Sequence, residues 1–294
     1  VHAGPGLAAD PPRALMITDL SAIAAGVTLG ALQVQSLLDP LDNRVLLCHA
    51  LGLSRVSLIT QSEHELDAEQ AARFAALVQR RLAGEPVAYI VGQREFFGLP
   101  FEVNGAVLIP RPDTELLVEL TLDRLPPQGR VLDMGTGSGA IAVALAHTRR
   151  DAAVTALDVS PDALAVARRN AAANGAQVNF LQSDWYTALQ GQPPFDVIAS
   201  NPPYIASGDR HLSEGDLRYE PPGALTDHAD GLSALRIIVA GAAAHLKPQG
   251  WLLMEHGYDQ AAAVRQLLTD QGYNAVQSWT DLAGIERVTG ARAR

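Results

Sequence analysis

Asn201-Pro202-Pro203-Tyr204 places an amide, two prolines and a phenol directly after the apolar run Phe195-Asp196-Val197-Ile198-Ala199-Ser200. The run reads as a short buried strand, and the prolines end it because neither has an N–H for a sheet ladder. Asn201 and Tyr204 therefore ride on a stiff elbow at the carboxyl end of a strand, where open α/β sheets bind their ligands. Asn201 can both donate and accept, the proline carbonyls are held by fixed φ angles, and Tyr204 offers a flat ring. Such a set can clamp a planar group bearing –NH2. The plain alternative is a proline-rich turn that only caps a strand.

A second stretch argues against that alternative. Val131-Leu132-Asp133-Met134-Gly135-Thr136-Gly137-Ser138-Gly139 runs into the helical Ala140-Ile141-Ala142-Val143-Ala144-Leu145-Ala146. A strand ends near Asp133, alternate glycines make a tight turn, and a helix opens with unpaired N–H groups. The spacing is G-x-G-x-G, whereas the dinucleotide fingerprint is G-x-G-x-x-G. Nineteen residues past Gly139, Asp158 ends the next strand, Ala153 to Asp158. A carboxylate there can accept from both hydroxyls of a ribose. Capping the following helix is its other possible role, although Ser160 suits that better.

The two stretches together resemble a class I S-adenosylmethionine-dependent methyltransferase of the kind that modifies amino groups. Arg111-Pro112-Asp113-Thr114-Glu115 after Leu108-Ile109-Pro110, with Glu255-His256-Gly257 after a late strand, narrows the resemblance to the HemK/PrmC family. It extends from about residue 17 to the C-terminus. It implies a glutamine methyltransferase acting on the Gly-Gly-Gln loop of peptide chain release factors, with S-adenosylmethionine as cofactor and the release factor as protein partner.

The resemblance also implies roles. Gly135, Thr136, Gly137, Ser138 and Gly139 would approach the amino-acid part of the cofactor, and Asp133 would act there directly or by fixing the loop N–H groups. Asp184 would accept from the adenine amine and Trp185 would cover the ring, an ordinary buried tryptophan being the alternative. Asn201 would border both cofactor and substrate. Its side-chain oxygen and the Pro202 carbonyl would take the two N–H groups of the acceptor, while Pro203 stiffens the elbow and Tyr204 packs over the amide plane. No general base and no metal are expected, and Glu255 and His256 are assigned structural roles near the cofactor.

Composition sets the outer limits. The chain has 294 residues, 48% hydrophobic, ample for a packed core in one or two domains. A net charge of −10 disfavours direct nucleic-acid binding over a large surface. Cys48 is the single cysteine, so no intrachain disulfide can form, and its apolar neighbours mark it as a small core residue. No run reaches the roughly 18 apolar residues of a membrane span. A cytoplasmic monomer is expected.

The organisation follows from periodicity. Residues 1–15 read as a flexible leader or expression remnant, with Met16 a plausible start. Residues 16–84 read as a helical bundle that docks substrate or merely stabilises the chain. Asp67 with Gln70 forms a capping box, Phe74, Leu77, Val78 and Leu82 share one helix face, and Gly84 ends the helix. Arg44 to Leu51 reads as another helix, capped by Asp42 or Asn43. Residues 85–112 read as a linker, extended over Pro86–Gly92, with a β-hairpin turning at Asn104-Gly105. Phe96, Phe97 and Phe101 would line the active-site mouth or pack between domains.

Residues 113–294 read as the methyltransferase domain, an α/β fold with a seven-stranded Rossmann-like sheet. Asp113 or Thr114 caps its first helix, which runs to about Leu125. Strands are expected near 130–134, 153–158, 177–182, 195–200, 249–255, 273–279 and 284–290, the last two closing antiparallel. Helices are expected near 138–147, 161–174, 229–246 and 258–271. Arg111 either pairs with an acid or shapes the cofactor pocket. Residues 205–224 are long enough to form a lid over the acceptor.

Three rival readings use the same residues. A nucleic-acid amino-methyltransferase needs the same clamp, but also a basic surface and access to an unstacked base. A glutamine methyltransferase acting on a ribosomal protein would look identical at the clamp. A catalytically silent cofactor-binding scaffold would not need an intact N-P-P-Y.

Overall fold

A computed structural model describes residues 19–294. The expected leader 1–15 and the Met16 start lie outside them. The chain divides into two compact units between Val91 and Gly92.

The first unit is helical. It comprises α1 (Leu29–Val34), α2 (Pro40–Leu51), α3 (Arg55–Thr60), α4 (Ala68–Leu82) and α5 (Val87–Val91). Each of the first four begins at a side-chain cap: Thr28, Asp39, Ser54 and Asp67. Asp67 and Gln70 form the expected reciprocal capping box. Helix α2 starts one turn before the expected Arg44, because Asp39 caps it and Pro40 occupies its first position. Neither residue expected to cap α2 does so. Asp42 instead accepts from Arg81 at 2.7 Å, and buried Asn43 donates to the Leu32 carbonyl at 2.9 Å. On α4, Ala71, Phe74 and Val78 are buried, but Leu82 faces outward. Cys48 is half-buried, with its thiol pKa pushed up by desolvation.

The segment expected to be extended, Pro86–Gly92, holds α5 instead. Val87, Ile90 and Val91 fall at helical spacing and pack on the bundle core beside Leu46, Leu47 and Phe74. Burial of that face overrides the strand preference of its β-branched residues.

The second unit opens with a hairpin of β1 (Gln93–Phe96) and β2 (Leu99–Glu102). It turns at Phe97-Gly98, both with positive φ (52° and 72°), and not at Asn104-Gly105. Both φ signs suit a two-residue hairpin turn. Phe97 is held there by its N–H to Glu115 at 2.9 Å. Asn104-Gly105 makes a local turn, with Ala106 N–H donating to the Asn104 side chain, and no strand follows it. Phe96 and Phe101 meet edge to face at 6.0 Å in the core of this unit with Leu117 and Val118. They do not border the cavity described below.

The remaining elements are α6 (Glu115–Arg124), β3 (Arg130–Met134), α7 (Ala140–Thr148), β4 (Ala153–Asp158), α8 (Pro161–Ala173), β5 (Val178–Gln182), β6 (Phe195–Ser200), α9 (Pro222–Leu225), α10 (Ser233–Ala242), β7 (Leu246–Glu255), α11 (Ala261–Asp270), β8 (Asn274–Thr280) and β9 (Glu286–Arg292). Among the described residues these strands form one seven-stranded sheet, ordered β5-β4-β3-β6-β7-β9-β8. The first five strands run parallel, and β9 pairs antiparallel with both β7 and β8.

Two apolar layers cover the sheet. One packs α6 and α7 on Val131, Val197 and Leu253; the other packs α10 and α11 on Leu132, Ile198 and Leu252. Residues 140–146 of α7 are all buried, so this helix is apolar around its whole circumference. Leu145→Ala there would cost about 2–5 kcal/mol. The order reverses direction at β3 and β6, so a crevice opens beyond their carboxyl ends, at Met134 and Ser200. Ser200 ties the two tips together by donating its hydroxyl to the Met134 carbonyl at 2.7 Å. Among the described residues no helix is long and apolar enough to cross a membrane.

Candidate active site

The crevice holds a cavity of about 300 Å³. Its floor is the turn after β3. Gly135, Gly137 and Gly139 all have positive φ, and a Cβ on either of the first two would meet only open space. Their need for glycine is conformational, and the backbone stays bare toward the cavity. Gly139 differs: a Cβ there would lie 3.1 Å from that of Ala167, so this glycine lets α7 approach α8 and does not line the cavity.

Asp133 holds the turn from beneath. It is fully buried and takes the Thr136 hydroxyl at 2.6 Å and the Ala142 N–H at 3.1 Å on one oxygen. Its other oxygen has no hydrogen-bond partner. Burial pushes its pKa up to about 7, against the pull of those two donors and with help from the nearby Asp158 charge. Of the two roles open to Asp133, the geometry is that of a brace for the loop, since the residue does not reach the cavity wall.

Asp158 does line the cavity. One carboxylate oxygen accepts from Gly137 N–H at 2.8 Å and the other from Ser160 N–H at 2.9 Å. Burial raises its pKa, and the N–H donors oppose that. Each oxygen keeps an uncommitted lone pair for a ligand hydroxyl. The helix cap of α8 is Ser160, which accepts from Ala163 N–H at 3.2 Å. Asp184 and Trp185 follow β5 and also border the cavity; Trp185 has φ of 47°, with its carbonyl taken by the Ser183 hydroxyl at 2.7 Å.

The opposite wall is the tip of β6. Asn201, Pro202 and Pro203 line the cavity, and Tyr204 lies just behind them. Asn201 donates through Nδ2 to the Thr114 hydroxyl at 3.2 Å. Thr114 therefore does not cap α6, which starts from a single 3-10 turn over Pro112–Thr114 without a side-chain cap. The Tyr204 hydroxyl donates to Glu255 at 3.3 Å, and burial raises the tyrosine pKa. Gln260 secures the same elbow by donating to the carbonyls of Tyr204 (2.9 Å) and Gly231 (3.2 Å) and accepting from Gly257 N–H (2.8 Å).

Glu255 ends β7, the strand next to β6, and is 2% exposed. Burial pushes its pKa up to about 7, while the nearby Thr114 and Tyr204 hydroxyls draw it down. His256 is buried and its pKa is lowered by desolvation. Its Nδ1 faces the Gly257 carbonyl, so that nitrogen carries the proton and Nε2 accepts from Thr289 at 2.7 Å. A neutral ring committed on both sides is structural.

Arg111 borders the cavity and pairs with Glu220, whose side chain is fully buried and also takes Ile109 N–H at 3.0 Å. Residues 205–224 are broken into two 3-10 turns (Arg210–Ser213 and Gly215–Tyr219) and α9, and Pro221, Gly223 and Ala224 contribute to the cavity wall. Sequence reasoning missed Thr114 as a neighbour of Asn201, and missed Gln260 and Glu220. Glu255 alone carried a usable signal, because it ends a strand at the ligand-binding edge.

The donor set suits a nucleoside ligand that bears donors and positive charge. Asp158 and Asp184 supply acceptors, Trp185 supplies a flat apolar face, and the glycine turn allows close backbone approach. S-adenosylmethionine has those features.

Residues 32–92 match the PrmC N-terminal domain, and residues 112–214 match the methyltransferase small domain. The chain is 58% identical over 263 residues to the release factor glutamine methyltransferase of Burkholderia pseudomallei, covering 87% of this chain and 92% of the relative. It is 52% identical to that of Neisseria gonorrhoeae, covering 86% and 93%. Among solved structures it resembles a methyltransferase from Pyrococcus furiosus (20% identity, TM-score 0.52, 73% and 96% covered). It also resembles a T. thermophilus 16S rRNA N2 methyltransferase in complex with AdoMet and guanosine (25% identity, TM-score 0.51, 69% and 50% covered). The sheet order, the glycine turn and identity sustained over nine-tenths of a relative's length place this chain in the release factor glutamine methyltransferase family, on the class I methyltransferase fold.

Proposed function

We infer that this protein methylates the side-chain amide nitrogen of the glutamine in the Gly-Gly-Gln motif of peptide chain release factors, using S-adenosylmethionine. The observation that carries the reading is Asn201 on the cavity wall, its Nδ2 committed to Thr114, in the same cavity that Asp158, Asp184 and Trp185 line.

The cofactor supplies a methyl group on a sulfonium, a leaving group already activated by its charge. The chain's own residues then have two tasks. Asp158 and Asp184 would hold the nucleoside, and the bare turn Gly135 to Ser138 would seat its amino-acid part. On the acceptor side, an amide nitrogen is a poor nucleophile because its lone pair is delocalised into the carbonyl. Accepting both of its N–H groups, on Asn201 Oδ1 and the Pro202 carbonyl, would turn the nitrogen toward the methyl and favour pyramidalisation. The N–C bond forms as the S–C bond breaks, and the amide proton leaves to water afterwards. Orientation of this kind can be worth about 7–11 kcal/mol when alignment is good. Tyr204 backs the elbow from behind, and its hydroxyl is engaged with Glu255.

The helical unit would dock the protein substrate. Val34, Val56 and Ile59 are exposed apolar side chains on α1 and α3 that a protein partner could cover. The same reading makes the protein a cytoplasmic monomer. The test is methyl incorporation from labelled S-adenosylmethionine into purified release factor, beside the same factor with the Gly-Gly-Gln glutamine replaced. Label in the first and none in the second is expected. Label in neither, with cofactor bound, would exclude this substrate.

A further inference from the structure

We propose that Gln260 is a positioning residue for methyl transfer: its side-chain amide ties the N-P-P-Y elbow to the Glu255-His256-Gly257 end of β7 and so holds Asn201 and the Pro202 carbonyl in place for the acceptor. This inference rests on the methyl-transfer reading and deepens it.

Gln260 occupies the N-cap of α11. That place favours short side chains such as Ser, Thr, Asp and Asn, which turn back onto the helix's own N–H groups. Gln260 makes no such cap bond. Its longer side chain reaches to the elbow instead. Nε2 donates to the Tyr204 carbonyl at 2.9 Å and to the Gly231 carbonyl at 3.2 Å, and Oε1 accepts from Gly257 N–H at 2.8 Å. All three partners are backbone groups, so the direction of every bond is fixed: a carbonyl only accepts and an N–H only donates. Turned over, the amide would set its oxygen against two carbonyls and its NH2 against an N–H.

Gln260 is itself held where it can do this. Its backbone N–H donates to the Gly257 carbonyl at 3.0 Å, and His256 Nδ1 faces the same carbonyl at 2.9 Å. His256 is fully buried, with Nε2 on Thr289 of β9 at 2.7 Å. Both the N–H and the carbonyl of Gly257 are thus engaged, and the Glu255-His256-Gly257 stretch becomes the base of an anchor. On the far side of that anchor, φ is locked at Pro202 and Pro203, so few free torsions separate the Tyr204 carbonyl from the Pro202 carbonyl and Asn201. A displaced Tyr204 carbonyl displaces the clamp. Gln260 does not line the cavity, so its effect reaches the acceptor only through the elbow.

The test uses full-length Gln260→Met and Gln260→Glu, with kcat, KM for release factor, cofactor affinity and Tm measured on each from mildly acid to alkaline pH. Methionine is close to glutamine in length and removes all three side-chain bonds. Its kcat should fall about ten- to hundredfold with cofactor affinity unchanged. Glutamate keeps an acceptor for Gly257 N–H, but as a carboxylate it sets a charged oxygen against the Tyr204 and Gly231 carbonyls. Protonated, it can donate its one O–H to one of them. Its kcat relative to wild type should therefore rise as pH falls. A residue needed only for stability would not give that rescue once kcat is referred to the folded fraction. A further readout needs no turnover: the NMR resonance of the Asn201 side-chain NH2, assigned by its loss in Asn201→Asp, should move in Gln260→Met.

Near-normal kcat in Gln260→Met would overturn the proposal, as would a loss shared equally by cofactor affinity. A Gln260→Glu ratio that is flat, or that rises with pH, would do the same. If Gln260→Met fails to fold, the pH dependence of Gln260→Glu, read within one protein, still decides. A wild type that does not label release factor would sink the methyl-transfer reading. The Asn201 resonance would then still show whether Gln260 places the elbow, and an unmoved resonance would exclude it.

Discussion

Gly231 packs against the carbonyl of Tyr204 so closely that a Cβ on Gly231 would stand 2.5 Å from that oxygen. The turn after residue 226 therefore reaches the back of the N-P-P-Y elbow, and Asp227 holds the turn in shape by accepting from the N–H groups of Ala229, Gly231 and Ser233. Gln260 then donates to the carbonyls of Tyr204 and Gly231 together. The elbow is buttressed by backbone as well as by prolines.

Gly231→Ala tests that buttress. Gly231 has φ of 81°, so alanine is strained there even before it meets Tyr204, and about 1–3 kcal/mol of stability should be lost. Turnover should fall further than the unfolded fraction explains, because the clash displaces the elbow. Urea unfolding beside kcat on the folded fraction separates the two effects. A variant that loses stability alone would show that the elbow does not depend on this contact.

Asn201→Ala removes the clamp and leaves the cofactor recess. Turnover should be abolished, while calorimetric affinity for S-adenosylmethionine changes little, because Asp158, Asp184 and the glycine turn remain in place. Near-normal turnover would exclude Asn201 as the acceptor of the substrate N–H.

Legibility in the sequence divides by range. The inner sheet strands, α7 and α8 could be read because each buries a periodic or continuous apolar set, and the turn after β3 announced itself in its glycines. Local chemistry misled where tertiary contacts outvoted it. Asn104-Gly105 is the stronger hairpin dipeptide, yet the hairpin turns at Phe97-Gly98, where Glu115 holds the Phe97 N–H. Asp39 capped α2 ahead of Asp42 because Pro40 fixes the first turn. The Asn201–Thr114 bond spans 87 residues, and the Gln260–Tyr204 bond 56. No periodicity encodes such partners; they follow only once the strand order brings the carboxyl ends together.

Asp158→Asn should weaken the cofactor rather than the chemistry. The amide keeps one acceptor oxygen, which Gly137 N–H or Ser160 N–H can use, and a ligand hydroxyl loses its charged partner. A hydrogen bond to a charged group is worth about 1.5–3 kcal/mol, so affinity should fall roughly ten- to hundredfold. Titration calorimetry measures it, and kcat at saturating cofactor should be largely retained. Unchanged affinity would remove Asp158 from the recess.

Asp133 gives a pH signature. Its pKa rises from an unfolded value near 3.9 to about 7 in the fold, so between those limits the folded state holds the extra proton. Its contribution to stability is full at low pH and is lost as pH rises through about 7. Asp133→Asn lacks this dependence. The stability of the wild type relative to the variant should therefore decline from about pH 4 to about pH 7 and level off above. Urea midpoints across that range supply the comparison, and a wild type that gains on the variant with rising pH would contradict the assignment.

Arg111 and Glu220 close one wall of the cavity, and their energetics can be separated by a double-mutant cycle. Glu220 is wholly buried on its side chain, while Arg111 remains about a third exposed. Arg111→Met leaves a buried carboxylate with only the Ile109 N–H for a partner. Breaking a buried pair in this way costs about 3–5 kcal/mol, and access of water to the arginine side should hold the loss near the lower end. Glu220→Gln alone keeps an acceptor for Ile109 and should cost less. With Gln at 220 the uncompensated charge is gone, so adding Arg111→Met should do little more harm, and the two losses should fall short of additivity. Strictly additive losses would mean that Arg111 stabilises the wall through its contacts with the cavity and not through Glu220.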